Sequence, residues 1–264
     1  MTGPKNAAVL GAWVFAILAL LPTRQAVALT CTADSGPRRV ALLELYTSEG
    51  CDSCPPADKW VAALPGKGLD STRLVALAFH VDYWNYIGWA DPYAQAGFSN
   101  RQRQHSTRRG ATFVYTPQLL VNGQDYRRGL LFDDIEQRVG QINRGFPLAD
   151  IKLAIDANER RWEARVEVTP RQSPGGAALY MAMVENNLVT AVKAGENKGR
   201  TLRHDAVVRD LAGPWPLDGR ATSRHEHTFT LDSRWKPQDV RLIAFVQHGV
   251  TGDVWQALST ACQK

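Results

Sequence analysis

Three features of the sequence predict a mixed α/β protein in two parts. An apolar run from Val40 to Tyr46 leads into Cys51-Asp-Ser-Cys54 and the helix-opening pair Pro55-Pro56. A second apolar run, Leu74 to Val81, follows at the distance a βαβ unit needs. Beyond Gly145-Phe146-Pro147 the pattern changes to short alternating segments separated by turn residues. The expectation is a thioredoxin-like domain over about residues 38–146, followed by an all-β, sandwich-like domain over about 147–264.

The first 28 residues read as a secretory signal peptide. Lys5 precedes an uncharged run from Asn6 to Leu21, then Pro22 and the small-x-small end Ala26-Val27-Ala28. The run is shorter than the roughly 20 apolar residues of a spanning helix, so no membrane association is expected after cleavage. The mature chain, residues 29–264, is therefore expected to be secreted or periplasmic. Losing Lys5 and Arg24 lowers the formal charge from +5 to +3, an excess too small to imply a nucleic-acid partner. The dense basic run Arg101 to Arg109 reads as a solvated helix face.

Four cysteines remain after cleavage: Cys31, Cys51, Cys54 and Cys262. In an oxidising compartment three pairings are open. The economical one joins Cys51 with Cys54 locally and ties the two ends of the mature chain through a structural Cys31–Cys262 bridge. On a chain-entropy argument so long a closure contributes on the order of 5 kcal/mol.

The elements follow in order. Val40 to Tyr46 and Leu74 to Val81 are nearly all apolar, as parallel strands covered on both faces must be. Between them Pro55 to about Leu64 reads as a helix whose prolines fall in its first turn. Asp82 to Tyr93 is aromatic and turn-rich, and Ala94 to Arg109 reads as an inserted helix. Phe113 to Asn122 gives a strand entered through Thr116-Pro117 and ended by the Asn122-Gly123 turn, with Tyr126 to Leu130 as its partner. Phe132, Ile135, Val139 and Ile142 mark an amphipathic helix. Strands are then expected at Ile151 to Asp156, Arg161 to Thr169, Ala177 to Val184, His225 to Leu231 and Val240 to Val246. Gly195 to Arg209 reads as a polar loop leading into a strand.

The pattern Glu44-Leu-Tyr-Thr-Ser-Glu-Gly-Cys-Asp-Ser-Cys-Pro-Pro-Ala-Asp58, then His80-Val-Asp-Tyr-Trp84, Gly88-Trp89, Asp91-Pro92 and Thr116-Pro117-Gln118, resembles an uncharacterised secreted thioredoxin-like family of bacterial type. That family carries a Gly-Cys-x-x-Cys-Pro-Pro motif and is known as a domain of unknown function. The resemblance spans nearly the whole mature chain and implies export and a thioredoxin-like fold. In such folds the backbone before a cis-proline receives the substrate strand, which makes Pro117, with Thr116, the candidate for that position.

The residues themselves suggest thiol-disulfide exchange with an exported protein thiol or disulfide. Cys51 is the candidate nucleophile at a helix N-terminus, facing solvent, and Cys54 is the resolving thiol one turn inward. Glu44, an acid inside an apolar strand, is a candidate proton shuttle for Cys54, or else a structural partner. His80 and Asp82, at the carboxyl end of the second strand, and Trp84 are candidates to line a substrate crevice. Glu49 and Asp52 disfavour a thiolate at Cys51, which predicts a potential nearer the reducing end of the thioredoxin range. The redox-active disulfide is the only cofactor expected. Copper or zinc held by Cys51, Cys54 and His80, and a non-catalytic binding module with a permanent disulfide, remain as alternatives. His225 and His227 on one strand face read as solvated surface, and Arg200, Arg203, His204 and Arg209 read as a loop tied by surface charges, with an anion pocket as the alternative.

Overall fold

The computed structural model describes residues 29–127 and 134–262, together with Met1 and Gly3. The expected signal peptide (apart from Met1 and Gly3), Phe132 at the expected start of the third helix, and residues 128–130 of the expected partner strand lie outside the described residues.

The first apolar run forms β2 (Ala41–Thr47), with all seven residues buried. The second forms β3 (Leu74–His80), parallel to it in the register Ala41 to Leu74 through Thr47 to His80. Helix α1 (Pro55–Ala63) crosses between them, with its prolines where no backbone donor is needed. Its buried face, Ala57, Asp58 and Val61, lies on the side of β2 that carries Leu43 and Leu45. Strand β4 (Gln118–Val121) runs antiparallel to β2 and turns through Asn122-Gly123 into the two-residue β5 (Gln124–Asp125). Both turn residues have positive φ, 48° and 74°, as a tight hairpin turn demands. A Cβ at Gly123 would also collide with the Gly252 carbonyl. Helix α3 (Ile135–Arg144) buries Ile135 and Val139 against the same core.

The remaining strands are β1 (Leu29–Asp34), β6 (Ala149–Ala157), β7 (Arg161–Pro170), β8 (Ala177–Glu185), β9 (Leu188–Ala191), β10 (Thr201–His204), β11 (Val207–Pro216), β12 (Ser223–Thr230), β13 (Val240–His248) and β14 (Val254–Thr260). The four-stranded sheet β1-β6-β7-β12 packs face to face on the β8, β13 and β14 side of an eight-stranded sheet, around Trp162, Phe229, Met181 and Val246. The eight-stranded sheet has the order β14-β13-β8-β11-β3-β2-β4-β5. Segments on both sides of the expected boundary at residue 147 therefore share it. The junction is β11, antiparallel to β8 and parallel to β3 at Val207 beside Ala78, where it covers an edge that would otherwise stay open. Strand β1, which precedes the βαβ unit, joins the four-stranded sheet through β6. The Cys31–Cys262 bridge is present, spanning 231 residues of sequence.

On the opposite face of β2 from α1 lies helix α2 (Ala96–Arg108). Its basic run is not a solvated face, because Arg101, Gln102 and His105 point inward. Arg101 forms a two-pronged ion pair with the fully buried Glu44, Nε to Oε2 at 2.9 Å and Nη2 to Oε1 at 3.0 Å. Its guanidinium lies 5.1 to 5.5 Å from the rings of Tyr180, Phe245 and Phe79. The Tyr46 hydroxyl also donates to Glu44, and Arg101 donates to Gln247. Burial opposes ionisation of Glu44, but Arg101 and His105 outweigh it and hold the carboxyl at about 2. His105, 3.6 Å from Glu44, is pushed down to about 4, chiefly by burial.

Removing one partner of such a pair leaves the other charge buried and alone. Arg101→Met is expected to cost about 3–5 kcal/mol in urea unfolding. The same residues set an acid response. The folded His105 resists a proton that the unfolded chain accepts, so stability present above about pH 6.5 is lost toward pH 4. Glu44 contributes stability above about pH 4.5 that is lost toward pH 2. Unfolding free energies measured from pH 7 to 2 are expected to fall through both windows, and Glu44→Gln to lack the second.

Candidate functional site

Cys51 and Cys54 form a disulfide beyond the carboxyl end of β2, with Cys54 at the N-cap position of α1. The expectation that Cys51 faces solvent is not met: both cysteines are fully buried, while Asp52 and Ser53 between them are exposed. What covers them is the segment joining β9 to β10. Asn197, itself fully buried, donates its side-chain amide to the carbonyls of Glu49 at 2.8 Å and Cys51 at 2.9 Å. The Asp52 amide donates to Glu196 at 3.1 Å. Arg200 in turn holds the Asn197 side-chain oxygen at 2.8 Å. Gly195, at φ +70°, lets this backbone lie against Ile87 and Trp89, where a Cβ would come within 3.2 Å of the Trp89 Cβ.

Around the disulfide lies a buried polar cluster that sequence reasoning did not assemble. Glu49 accepts from Trp89 Nε1 at 2.8 Å and meets His204 Nε2 at 3.0 Å. The other nitrogen of His204 is 3.7 Å from Asp58 on α1. His80 Nδ1 lies 2.7 Å from Asp91, which also accepts the backbone amides of Glu49 and Tyr93. The rings of His80 and His204 meet edge to face at 4.9 Å. Burial pushes the Asp58 carboxyl up, with His204 and His80 opposing. Burial disfavours a charged His80, but Asp91 outweighs it and raises the imidazole, while Asp91 is lowered by the same pairing. Asp58, Asp91, Asn197 and His204 were missed as site residues. The signals were an acid on the apolar face of α1 and the Asp-Pro and Gly-Glu-Asn segments, which local pattern assigns to loops.

The other candidates separate. Glu44 lies on the opposite face of β2 from α1, locked by Arg101, so the proton route to Cys54 is corrected to a structural role. His80 is fully buried in the cluster and lines no open crevice. Asp82 exchanges hydrogen bonds with Ser99 at the start of α2. Trp84 does sit beside the cysteines: its Cβ packs on Gly50, and its Nε1 donates to Thr116 Oγ1 at 2.7 Å. The Thr116–Pro117 bond is cis, and it precedes β4 at the end of the sheet from which the Cys51 loop emerges, since Gln118 pairs with Tyr46. Among the described residues no three His, Cys, Asp or Glu side chains are arranged to hold a metal. His225 and His227 flank Trp215, at 5.9 Å each, on the sandwich side of the molecule.

Fold and site together define a strand-rich mixed α/β protein with a covered Cys-x-x-Cys disulfide at the end of a parallel strand pair. The family described as "Protein of unknown function (DUF1223)" matches residues 42–247, and the chain belongs to it. Among solved structures, a protein from Agrobacterium tumefaciens is 25% identical with a TM-score of 0.63, covering 87% of this chain and 97% of that one. HBP35 of Porphyromonas gingivalis is 16% identical with a TM-score of 0.68, covering 87% and 77%, a likeness of fold alone. No curated protein matches.

Asn197→Ala removes the donor that two carbonyls share. With unmet buried groups costing about 1–3 kcal/mol, opening of the cover is expected to become easier by at least about fivefold. Amide hydrogen exchange at Cys51 and Asp52 measures it, and unchanged exchange would show that Asn197 does not hold the cover.

Proposed function

We propose that the protein is an exported, thioredoxin-like thiol-disulfide exchange protein acting through Cys51 and Cys54 on a protein thiol or disulfide outside the cytosol. The observation that carries this reading is the pairing of a disulfide at a helix N-terminus with the Thr116–Pro117 segment at the same end of the sheet. A helix N-terminus favours thiolate on the cysteine that precedes it, and the backbone beside a cis-proline offers an extended substrate free hydrogen-bonding groups. Trp84, bonded to Thr116 and packed on Gly50, links the two loops. The signal-like N-terminus and the Cys31–Cys262 bridge support export, into a periplasm or the medium.

In the reducing direction the Cys51 thiolate attacks a partner disulfide, and Cys54 then attacks Cys51 in the mixed disulfide to release the reduced partner. In the oxidising direction a partner thiolate attacks Cys51 and expels Cys54. Both directions require the cover over Cys51 to open. The acids Glu49 and Asp52 beside the pair, with no Lys or Arg in the sequence between them and Lys59, disfavour added negative charge and support a potential nearer the reducing end.

Equilibration of the mature protein with a glutathione series is expected to give reversible two-electron exchange, lost in Cys51→Ser and Cys54→Ser. Cys54→Ser should in addition accumulate a mixed disulfide with a thiol-bearing partner. A pair that excess dithiothreitol cannot reduce in the native state would sink the proposal. A potential near the roughly −120 mV of the strongest exported oxidants would sink its reducing character.

A further inference from the structure

We propose that Asp58 holds the proton that Cys54 takes up when the disulfide opens, and that His204, supplied by the far half of the chain, positions Asp58 for this. The inference rests on thiol-disulfide exchange at Cys51–Cys54 and adds the route of its proton.

Cys54 and Asp58 are four residues apart at the start of α1, and the Asp58 amide donates to the Cys54 carbonyl at 3.2 Å. Side chains at that spacing share one helix face. Both are buried, so a thiolate left on Cys54 finds little water to protonate it. Asp58 is faced by Thr47 from β2, His80 from β3, Asp91 from the loop after it and His204 from β10, with Glu49 on the far nitrogen of His204. Burial keeps its carboxyl protonated to higher pH than usual. Two nitrogens of the cluster, His80 Nε2 and His204 Nδ1, are buried without hydrogen-bond partners. Unpartnered buried polar atoms are costly in a static structure and useful where a proton changes hands.

The step balances. One thiolate of an external dithiol attacks Cys51 Sγ; a new S–S bond forms as the Cys51–Cys54 bond breaks, and its electron pair goes to Cys54 Sγ. The Asp58 carboxyl gives its proton to that sulfur. The second thiolate of the dithiol then attacks its partner sulfur in the mixed disulfide, releasing Cys51 as thiolate. The dithiol is oxidised to a disulfide, Cys51–Cys54 is reduced by two electrons, and Asp58 regains its proton from solvent through His204.

The test is the rate of reduction by dithiothreitol between pH 5 and 9, expressed per dithiothreitol thiolate, in the mature protein and in Asp58→Asn and His204→Gln. The wild-type rate constant is expected to fall as pH rises through the Asp58 titration. Asp58→Asn should be slower at low pH by roughly 10²-fold, the scale of general-acid assistance, and flat with pH. His204→Gln should move the pH at which the fall occurs. Carboxyl NMR of the unmutated protein gives an independent reading that needs no variant to fold: Asp58 should titrate at different pH in the oxidised and reduced states. Identical profiles in wild type and Asp58→Asn, or an Asp58 titration unmoved by reduction, overturn the proton route while leaving exchange intact. A native disulfide that dithiothreitol cannot reduce overturns both.

Discussion

The placement of β11 between β3 and β8 decides what surrounds the cysteines. Val207 beside Ala78, reinforced by the Ala78 amide donating to the Ala206 carbonyl at 2.8 Å, is the parallel contact that joins the βαβ unit to the later strands. From there β11 runs on against β8 as far as Pro216, slipping register twice on the way. Because β10 ends at His204, three residues before Val207, that docking fixes where the β9–β10 pair falls. It falls on α1 and the Cys51 loop. The Cys31–Cys262 bridge ties β1 to the end of β14 and restrains the same assembly from its other side.

Two buried charge systems lie on opposite faces of β2 and follow opposite rules. Glu44 and Arg101 are closely paired: two guanidinium nitrogens and the Tyr46 hydroxyl reach the carboxylate, the guanidinium is boxed by three aromatic rings, and the carboxyl stays ionised well into acid, although His105 Nε2 beside them has no hydrogen-bond partner. That pair specifies how α2 docks. The Glu49, Asp58, His80, Asp91 and His204 cluster mixes short contacts with a 3.7 Å approach and unpartnered nitrogens, and its members are pushed in different directions by burial and by one another. A carboxylate held by a guanidinium resists a change of protonation, whereas acids packed against imidazoles are groups that can pass a proton. Cys54 opens α1, so the chemistry belongs on the α1 face.

The local features were legible in the sequence. The apolar runs gave β2 and β3, the prolines gave the start of α1, and Asn122-Gly123 gave its hairpin. Period-2 alternation gave β6 and β7, whose burial alternates along most of their lengths. Alternation along β2 also held the answer for Glu44, since it shares a face with Tyr46 and not with Leu43 and Leu45, which face α1. What stayed hidden depends on pairing between distant segments. Strands β1, β9, β10 and β14 are short or end-pairing, and Asn197 and His204 meet the cysteine loop across 146 and 155 residues. No local periodicity encodes such a meeting, so a division at residue 147 looked natural in a chain whose main sheet crosses it.

Burial of Cys51 looks at first incompatible with exchange, but magnitudes decide otherwise. The cover is held to the cysteine loop by three hydrogen bonds, two from Asn197 and one to Glu196. Net contributions of about 1 kcal/mol each put the open state at least about 3 kcal/mol above the closed one, at most on the order of one molecule in a hundred, and the packing of Gly195 on Ile87 and Trp89 raises it further. A reaction that proceeds only through that state is slowed by the same factor. Its equilibrium shifts only if the cover distinguishes the oxidised from the reduced pair. The groups that hold it contact the Glu49 and Cys51 carbonyls and the Asp52 amide, all backbone, and none is a sulfur atom. For the proposed exchange the cover thus acts on rate, while the poise of the pair is left to the charges around Asp58.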